Sequence, residues 1–336
     1  MNKIVLIFIL PFLLAACIRE PEDAENTYAG NMEALWRIVD TRYCYLDYKN
    51  INWDSVRNVY VSRIDAGASK QDYFDLLGEM LGELKDGHVN LYSDFNTSRY
   101  WKWFTDYPSN FDTDIIYGTN YLGDNYKAIN GLHYAKIHGG KVGYIYYGSF
   151  NVQFSDLNMY NVLNYFKDCE ALIIDVRNNG GGYLSMAEQF ASYFFEEETV
   201  TGYISHKTGN GHSDFSKPEA IKTPSHAKIR WLRPVAVLAN RKSYSSTNSF
   251  IARMKMAPYA IVVGDKSGGG GGLPMSSELP NGWMVRFSSS PMFDAEMNHT
   301  EWGIDPDVPA ALLSPDASTG SDNIIETAIG LIIKKK

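Results

Sequence analysis

The sequence predicts an α/β fold in which helices cover a largely parallel β-sheet, preceded by a small helical domain. Three observations support this prediction. Apolar residues recur at helical spacing in the N-terminal part, short apolar runs of strand length recur after residue 140, and helical segments separate those runs. The chain has 336 residues, 45% of them hydrophobic, which suffices for one large domain or two ordinary ones with their own cores.

The first residues carry a secretory pattern. After a short basic start, residues 4–14 form an apolar run too short to span a membrane comfortably, and two alanines then precede Cys17. A Cys directly after Leu-Ala-Ala resembles the bacterial lipoprotein signal, in which that Cys is lipidated. We therefore expect a signal peptide at 1–16, a tether at 17–27, and a protein held on an extracytoplasmic membrane surface of the bacterial cell envelope by acyl chains on Cys17.

Composition excludes several classes of partner. The net charge of −8 and the absence of a Lys/Arg-rich run argue against nucleic acid. No Cys or His cluster has zinc-ligand spacing, and no Walker spacing accompanies the glycine runs, so neither a metal nor a cofactor is predicted.

Cys44 and Cys169 are far apart in sequence, and we expect two separate buried residues although an oxidising compartment would permit a disulfide.

The predicted helical domain covers residues 28–92. Its apolar residues recur at i, i+3, i+4 and i+7 in two stretches: Met32, Leu35, Trp36 and Val39, then Phe74, Leu77, Met80, Leu81 and Leu84. Gly87 stands where a helix stop is expected, and residues 89–92 look extended. Residues 93–140 are rich in aromatic residues, Asn, Asp and Gly, which indicates a connecting segment with short strands.

The α/β core is predicted for residues 141–336. Five segments have the apolar pattern of strands: 141–147, 171–176, 234–239, 259–263 and 283–287. Four segments between and after them have helical spacing: 161–166, 184–195, 249–256 and 323–333. Strands that alternate with helices imply parallel pairing.

The stretch around Ser245 follows a buried strand and leads into a helix. It reads Asn240-Arg-Lys-Ser-Tyr-Ser-Ser-Thr-Asn-Ser-Phe250, so a hydroxyl residue starts the helix. Unpaired backbone N–H groups at a helix start stabilise negative charge, as a nucleophile's site requires. The alternative is that these residues only cap the helix, since Ser, Thr and Asn are preferred caps.

Three further loops lie at the ends of strands or helices, where sites on such sheets are found. The first contains Gly180, Gly181 and Gly182, which leave backbone N–H groups accessible for an oxyanion hole. The others are Asp86-Gly-His88 and the acidic segment 298–307.

These loops resemble the C-terminal processing peptidase and tricorn-core family of serine peptidases. The matching stretches occur in the family's order: Leu84-Lys-Asp-Gly-His-Val89, Lys141-Val-Gly-Tyr144, Asp175-Val-Arg-Asn-Asn-Gly-Gly-Gly182, Ser243-Tyr-Ser-Ser-Thr-Asn248, Gly264-Asp-Lys-Ser267 and Gly303-Ile-Asp-Pro-Asp307. The resemblance covers roughly residues 30 to 310 and implies a ClpP/crotonase-like core. The PDZ domain of many relatives is not expected, because about 50 residues separate His88 from Lys141.

The family has two catalytic arrangements, and the resemblance favours the one that uses a histidine base. In the Ser–Lys branch the lysine lies about 25 residues after the nucleophile, where this chain has Gly270, while Lys266 aligns with a non-catalytic position. In the tricorn-like branch the base is a His in an Asp-Gly-His-like motif, and a late Glu orients the site. His88 and Glu301 match these positions, but the serine that precedes the tricorn-type His is Gly87 here.

The resemblance implies the following roles. Ser245 attacks, His88 is the base, and Glu301 orients the imidazole directly or through a relay. The backbone N–H groups of Gly181 and Ser246 form the oxyanion hole. Gly180, Gly182, Gly269 and Gly270 contact the substrate at the rim of the cleft. His299 is the rival base, since it lies two residues from Glu301.

These features predict a membrane-anchored extracytoplasmic serine endopeptidase that acts on peptide or protein substrates through an acyl-enzyme. The alternative is a non-catalytic protein that binds a ligand or peptide on the same fold, because fold alone does not determine function.

Overall fold

A computed structural model describes residues 24–313 and 320–333. The predicted signal peptide, Cys17 and most of the predicted tether therefore lie outside the described residues. The helices are α1 Tyr28–Arg42, α2 Trp53–Val61, α3 Lys70–Gly82, α4 Lys102–Thr105, α5 Thr113–Ile116, α6 Asp156–Tyr165, α7 Leu184–Ser192, α8 Ser246–Lys255 and α9 Asn323–Ile332. The strands are β1 Asn90–Tyr92, β2 Thr97–Arg99, β3 Lys127–Ile129, β4 Leu132–Ile137, β5 Val142–Tyr147, β6 Ala171–Asp175, β7 Thr199–Ile204, β8 Glu219–Thr223, β9 Val235–Ala239, β10 Ala260–Gly264, β11 Gly272–Glu278, β12 Met284–Phe293 and β13 Val308–Pro309.

A seven-stranded sheet forms the centre of the α/β core. Its strand order is β13-β10-β9-β6-β5-β4-β3. The neighbouring pairs from β13 through β5 are parallel, whereas the β5-β4 and β4-β3 pairs are antiparallel. Every residue of β6 and β9 is buried, because α7 and α8 pack on one face and α9 on the other. The predicted α/β fold with a largely parallel, helix-covered sheet is confirmed.

A second, antiparallel sheet has the order β2-β1-β12-β7-β8, with β11 also paired to β12. The sequence predicted part of β12 and β1, but not that they pair. The N-terminal helices, present as predicted, pack on this sheet: their hydrophobic cluster includes Trp283, Val285 and Phe287. The predicted boundaries at residues 92 and 140 stay a prediction.

Local sequence explains where the N-terminal helices begin. The Thr27 side chain caps α1, and Ser69 with Asp72 forms a capping box at the start of α3. The third helix ends just before the loop that carries His88, while β1 follows that loop directly. His88 is thus held between an amphipathic helix and a strand of the second sheet.

The described residues contain no helix long and apolar enough to cross a membrane. Within the same ranges, no group of His, Cys, Asp and Glu is arranged to hold a metal ion. Cys44 and Cys169 are separate buried thiols, as predicted.

Candidate active site

Ser245 lies in a strained turn between β9 and α8. Its φ and ψ angles are 60° and −120°, a conformation that costs a non-glycine residue on the order of 1–3 kcal/mol. Its backbone N–H donates to the Gly269 carbonyl at 2.9 Å, which helps to fix the turn. The side chain forms no capping hydrogen bond with α8, although Ser245 occupies the N-cap position. The hydroxyl is therefore not used as a cap.

The Ser245 hydroxyl instead contacts His88. Nε2 of His88 lies 2.9 Å from Oγ of Ser245, a hydrogen-bond distance that joins residues 157 positions apart in the chain. His88 is only 3% exposed, and its ring lies 5.0 Å from that of Tyr244. Burial lowers the pKa of His88 to about 4, against an opposing effect of the Asp86 carboxylate. The imidazole is therefore neutral at pH 7 and able to accept the hydroxyl proton.

Asp86 holds the loop that carries His88. One carboxylate oxygen accepts the His88 backbone N–H at 2.7 Å, and the other accepts the hydroxyls of Tyr43 at 3.0 Å and Ser288 at 2.9 Å. Burial on its own would raise the pKa of Asp86, but Lys49 and these hydrogen bonds hold it below its usual range. An ionised carboxylate thus ties the loop to the first helix and the second sheet.

Glu301 lies beside this loop but does not touch the imidazole. Its Oε1 accepts from Nζ of Lys49 at 2.7 Å, and its Oε2 accepts from the Gly271 backbone N–H at 3.2 Å. Nδ1 of His88 is buried and makes no hydrogen bond to a carboxylate of the described residues. The structure therefore brings Glu301 to the site without the direct contact to His88.

Lys49 connects the two carboxylates. Its Nζ also donates to the Leu84 carbonyl at 3.0 Å, lies 3.9 Å from Asp86 Oδ2, and stands 4.5 Å from the ring centre of Trp302. Burial and the neighbouring Asp86 raise the pKa of Glu301 to about 8, against the effect of Lys49. Lys49 is thus a buried cation between the carboxyl groups of Asp86 and Glu301, and its closer partner is Glu301, at 2.7 Å.

The start of α8 offers a donor for an oxyanion. The Ser246 N–H begins the helix and has no acceptor among the described residues. The Gly181 backbone lies close by, since a Cβ placed there would stand 2.9 Å from Cβ of Ser245. However, the Gly181 N–H donates to Asn179 Oδ1 at 3.0 Å. The Ser246 N–H is a free donor, whereas the Gly181 N–H can donate to an oxyanion only if its hydrogen bond to Asn179 breaks.

Asn179 links the glycine loop to α8. Its Oδ1 also accepts from the Thr247 hydroxyl at 2.8 Å, and its Nδ2 donates to the Tyr147 carbonyl at 2.8 Å. A buried ion cluster below the loop adds rigidity, with Arg177 bound to Asp175 at 2.6 Å and to Asp322 at 2.7 Å. The Asp-Val-Arg-Asn-Asn part of the motif therefore serves to position the glycines.

The predicted substrate-contacting glycines take two different positions. Gly180 and Gly182 are exposed, on either side of Gly181 in the loop just described. Gly269 and Gly270 wrap around Glu301: a Cβ at Gly269 would approach the Glu301 carbonyl to 1.9 Å, and Gly270 N–H donates to that carbonyl at 3.1 Å. Both have positive φ, so side chains there would be strained as well as crowded.

The rival bases lie elsewhere. Lys266 Nζ pairs with Asp305 Oδ2 at 3.2 Å, and His299 packs on Tyr48 with 4.0 Å between ring centres. Neither makes a hydrogen bond to Ser245 among the described residues. A serine at position 87, as in the tricorn-type site, would not fit without a shift of its neighbours. A Cβ on Gly87 would stand 2.5 Å from Nε1 of Trp103 and 2.8 Å from the Tyr244 hydroxyl.

Sequence reasoning missed Lys49 and the role of Asp86. Asp86 was visible in the Asp-Gly-His stretch, and a carboxylate two residues before a candidate base was a usable signal. Lys49 had none, since it stands among aromatic residues far from any motif. Its contacts arise only when the segment after α1 packs against two distant loops, at residues 84–86 and 301–302.

Comparisons with known proteins show which families and folds the chain is similar to. The profile of peptidase family S41 matches residues 141–310, and that of the tricorn protease C1 domain matches residues 24–82. A provisionally named peptidase from Parabacteroides merdae, known from its crystal structure, is 47% identical with a TM-score of 0.89, and the match covers 93% of this chain and 98% of that one. Mature CPAF shares the fold, with a TM-score of 0.68 at 12% identity over 91% of this chain and 97% of that one.

Curated relatives match about half of the chain. The carboxy-terminal processing protease CtpB of Bacillus subtilis is 28% identical over 155 residues, which is 46% of this chain and 30% of the relative. The chain thus spans about a third of the length of the curated relatives it matches. The resemblance inferred from the motifs is confirmed at the level of the family. The matched profile covers half of the chain, and the chain belongs to peptidase family S41.

Proposed function

We propose that the protein is a serine endopeptidase that cleaves peptide or protein substrates through an acyl-enzyme on Ser245. The observation that carries the proposal is the 2.9 Å contact between Ser245 Oγ and His88 Nε2. A serine hydroxyl is a poor nucleophile unless an adjacent base takes its proton, and a neutral imidazole within hydrogen-bond reach meets that need. Family membership and the strained turn at Ser245 support the same assignment.

The residues account for each step of the reaction. Oγ of Ser245 attacks the carbonyl carbon while its proton passes to Nε2 of His88, and the carbonyl electron pair moves to oxygen. The Ser246 N–H stabilises that oxyanion, a contribution worth on the order of a hundredfold or more in rate per donor. The C–N bond then breaks, His88 protonates the leaving amine, and water hydrolyses the ester by the same proton transfers in reverse.

The late acidic residue acts on the base through its neighbours. Glu301 is held by Lys49, which also lies beside Asp86, and Asp86 accepts the backbone N–H of His88. We assign to this chain of contacts the orienting role predicted for Glu301. It keeps the base loop in place when the imidazole gains its charge.

The proposal is tested with a fluorophosphonate probe. We expect the purified protein to become labelled and mass spectrometry to map the adduct to Ser245, because the probe reacts only with an activated serine. Absence of labelling, together with intact casein-like peptides, would instead favour the non-catalytic binding protein.

The pH dependence of kcat/KM follows from the environment of His88. The base acts in its neutral form, and burial lowers its pKa to about 4, so activity should rise as the pH increases through that region. We expect the acid limb of the kcat/KM profile more than one pH unit below 6.5, the ordinary value for His. An acid limb at or above pH 6.5 would contradict the burial of His88 in the free enzyme.

We also propose that the protein is lipid-anchored on an extracytoplasmic face of the bacterial cell envelope. The support is the Cys17 that follows Leu-Ala-Ala after an apolar run, and two or more acyl chains suffice for stable membrane attachment. Expressed in a bacterium fed an alkyne fatty acid, the protein should take up label, whereas Cys17→Ala should not and should leave the membrane fraction. Equal labelling of both forms would refute the assignment of Cys17.

A further inference from the structure

The imidazole of His88 is held by few polar contacts. Its Nε2 lies 2.9 Å from Ser245 Oγ, while its Nδ1 is buried and makes no hydrogen bond among the described residues. The Gly272 backbone also raises the pKa of His88, but not through a hydrogen bond of normal geometry. A histidine base is normally oriented by a hydrogen bond at its second nitrogen. The orientation of this ring therefore depends on the groups packed around it.

Tyr244 provides an aromatic contact to the imidazole. Its ring centre lies 5.0 Å from that of His88, and it directly precedes Ser245, so one side chain links the base to the turn of the nucleophile. The Tyr244 hydroxyl is buried and has no hydrogen-bond partner among the described residues. The ring also abuts Gly270, where a Cβ would stand 2.4 Å from Cζ of Tyr244. Packing rather than hydrogen bonding therefore keeps the Tyr244 ring in place.

Trp103, from the one-turn helix α4, packs on Tyr244. Its indole stacks on the Tyr244 ring with 4.0 Å between the ring centres and 27° between the planes. Two glycines lie against the indole: a Cβ on Gly87 would stand 2.5 Å from Nε1 of Trp103, and a Cβ on Gly268 would stand 2.5 Å from its Cζ3. Gly87 has no positive φ, and the three atoms nearest to such a Cβ all belong to Trp103 and Tyr244. The glycine before the base therefore leaves room for this aromatic stack.

We infer that Trp103 is a positioning residue for the base: through Tyr244 it holds the imidazole of His88 against the Ser245 hydroxyl. The inference rests on the proposed peptidase function and adds a residue to its machinery. The carboxylate contacts described above hold the base loop, whereas the aromatic stack holds the ring. The ring must keep Nε2 aligned with Ser245 and then with the leaving amine, and a misplacement of about 1 Å can cost ~100-fold in rate.

The first test separates kcat from KM for a fluorogenic peptide. Trp103→Ala should lower kcat about 10- to 100-fold while KM changes no more than about 3-fold, because the base is misplaced in the bound complex. Trp103→Phe keeps a ring on Tyr244 and should retain at least about a third of the wild-type kcat. Trp101→Ala is the matched control: it removes an indole from the same segment that is 49% exposed and packs on Phe104, and its kcat should equal that of the wild type.

The acid limb of kcat/KM distinguishes positioning from a general loss of folded protein. Removing the indole of Trp103 opens the side of His88 to water, so the pKa of the base should rise toward the ordinary 6.5 and the acid limb should move to higher pH by about one unit or more. The charged groups that act on the ring, which are Asp86, Lys49 and Arg286, are unchanged in the variant. A smaller folded fraction would instead lower the rate without moving the acid limb.

A second variant covers the case in which Trp103→Ala does not fold. Gly87→Ala places a methyl group against the indole and should lower kcat about 10-fold, whereas the smaller ring in Gly87→Ala/Trp103→Phe should restore about 3-fold or more of that loss. Fluorophosphonate labelling of Ser245, measured in parallel, separates the two proposals. If the wild type labels, then wild-type kcat with an unmoved acid limb in Trp103→Ala, or additive effects of Gly87→Ala and Trp103→Phe, overturns this inference alone. A wild type that neither labels nor cleaves overturns the peptidase function with it.

Discussion

Replacing Ser245 with alanine is expected to lower kcat by a factor on the order of 10⁵–10⁶. The hydroxyl is the atom that His88 Nε2 approaches to 2.9 Å, and no other hydroxyl makes a hydrogen bond to that nitrogen among the described residues. The strained turn and the free Ser246 N–H remain in the variant, so a small rate above water should persist. The measurement is single-turnover cleavage of a fluorogenic peptide, with circular dichroism to verify the fold.

Replacing His88 with alanine tests whether Ser245 and His88 act as one catalytic unit. His88→Ala should cost about as much as Ser245→Ala, and the double variant should be no worse than either single variant. Lys266→Ala is the control, because its Nζ pairs with Asp305 in a partly exposed position, and it should retain most activity. An inactive Lys266→Ala beside an active His88→Ala would restore a Ser–Lys mechanism and refute the assigned base.

The parts of the fold that could be predicted are those with a strong local signal. Strands β6 and β9 are apolar throughout because both of their faces are buried, and such runs are visible in any single sequence. The hydroxyl-rich start of α8 and the Asp-Gly-His stretch were visible for the same reason. Their meeting was inferred only through the resemblance, since 157 residues separate Ser245 from His88.

The second sheet carries much weaker signals. Strand β8 is largely exposed, and β11 begins with Gly272 and contains Pro274, both of which are unfavourable in strands. These segments are strands because they pair with β7 and β12, and that pairing depends on contacts distant in sequence. The cluster around Lys49 was unpredictable for the same reason, because its partners come from two segments distant in sequence, residues 84–86 and 301–302.

The sequence thus predicted which candidate reacting groups meet better than it predicted the residues that hold them. A nucleophile and a base must be particular residue types at the ends of loops, which leaves a pattern in the sequence. A supporting residue such as Lys49 needs only to place a positive charge beside the buried carboxyl groups. A lysine from any part of the chain can do this if packing brings it there. Its buried side chain, 2% exposed, nevertheless joins the base loop to the late acidic loop.

Lys49→Met is accordingly expected to lower the free energy of unfolding by about 3–5 kcal/mol, because it leaves the ionised Asp86 buried without its cation. Glu301→Gln should cost less, because burial and Asp86 raise the pKa of Glu301 to about 8 and so disfavour the charge that the variant removes. Lys266→Met, which breaks a partly exposed pair, should cost no more than about 1 kcal/mol. Urea denaturation of the three variants measures all of these values. If Glu301→Gln proved as costly as Lys49→Met, Glu301 would be the ionised partner, and the chain of contacts from Lys49 through Asp86 to His88 would lose its electrostatic basis.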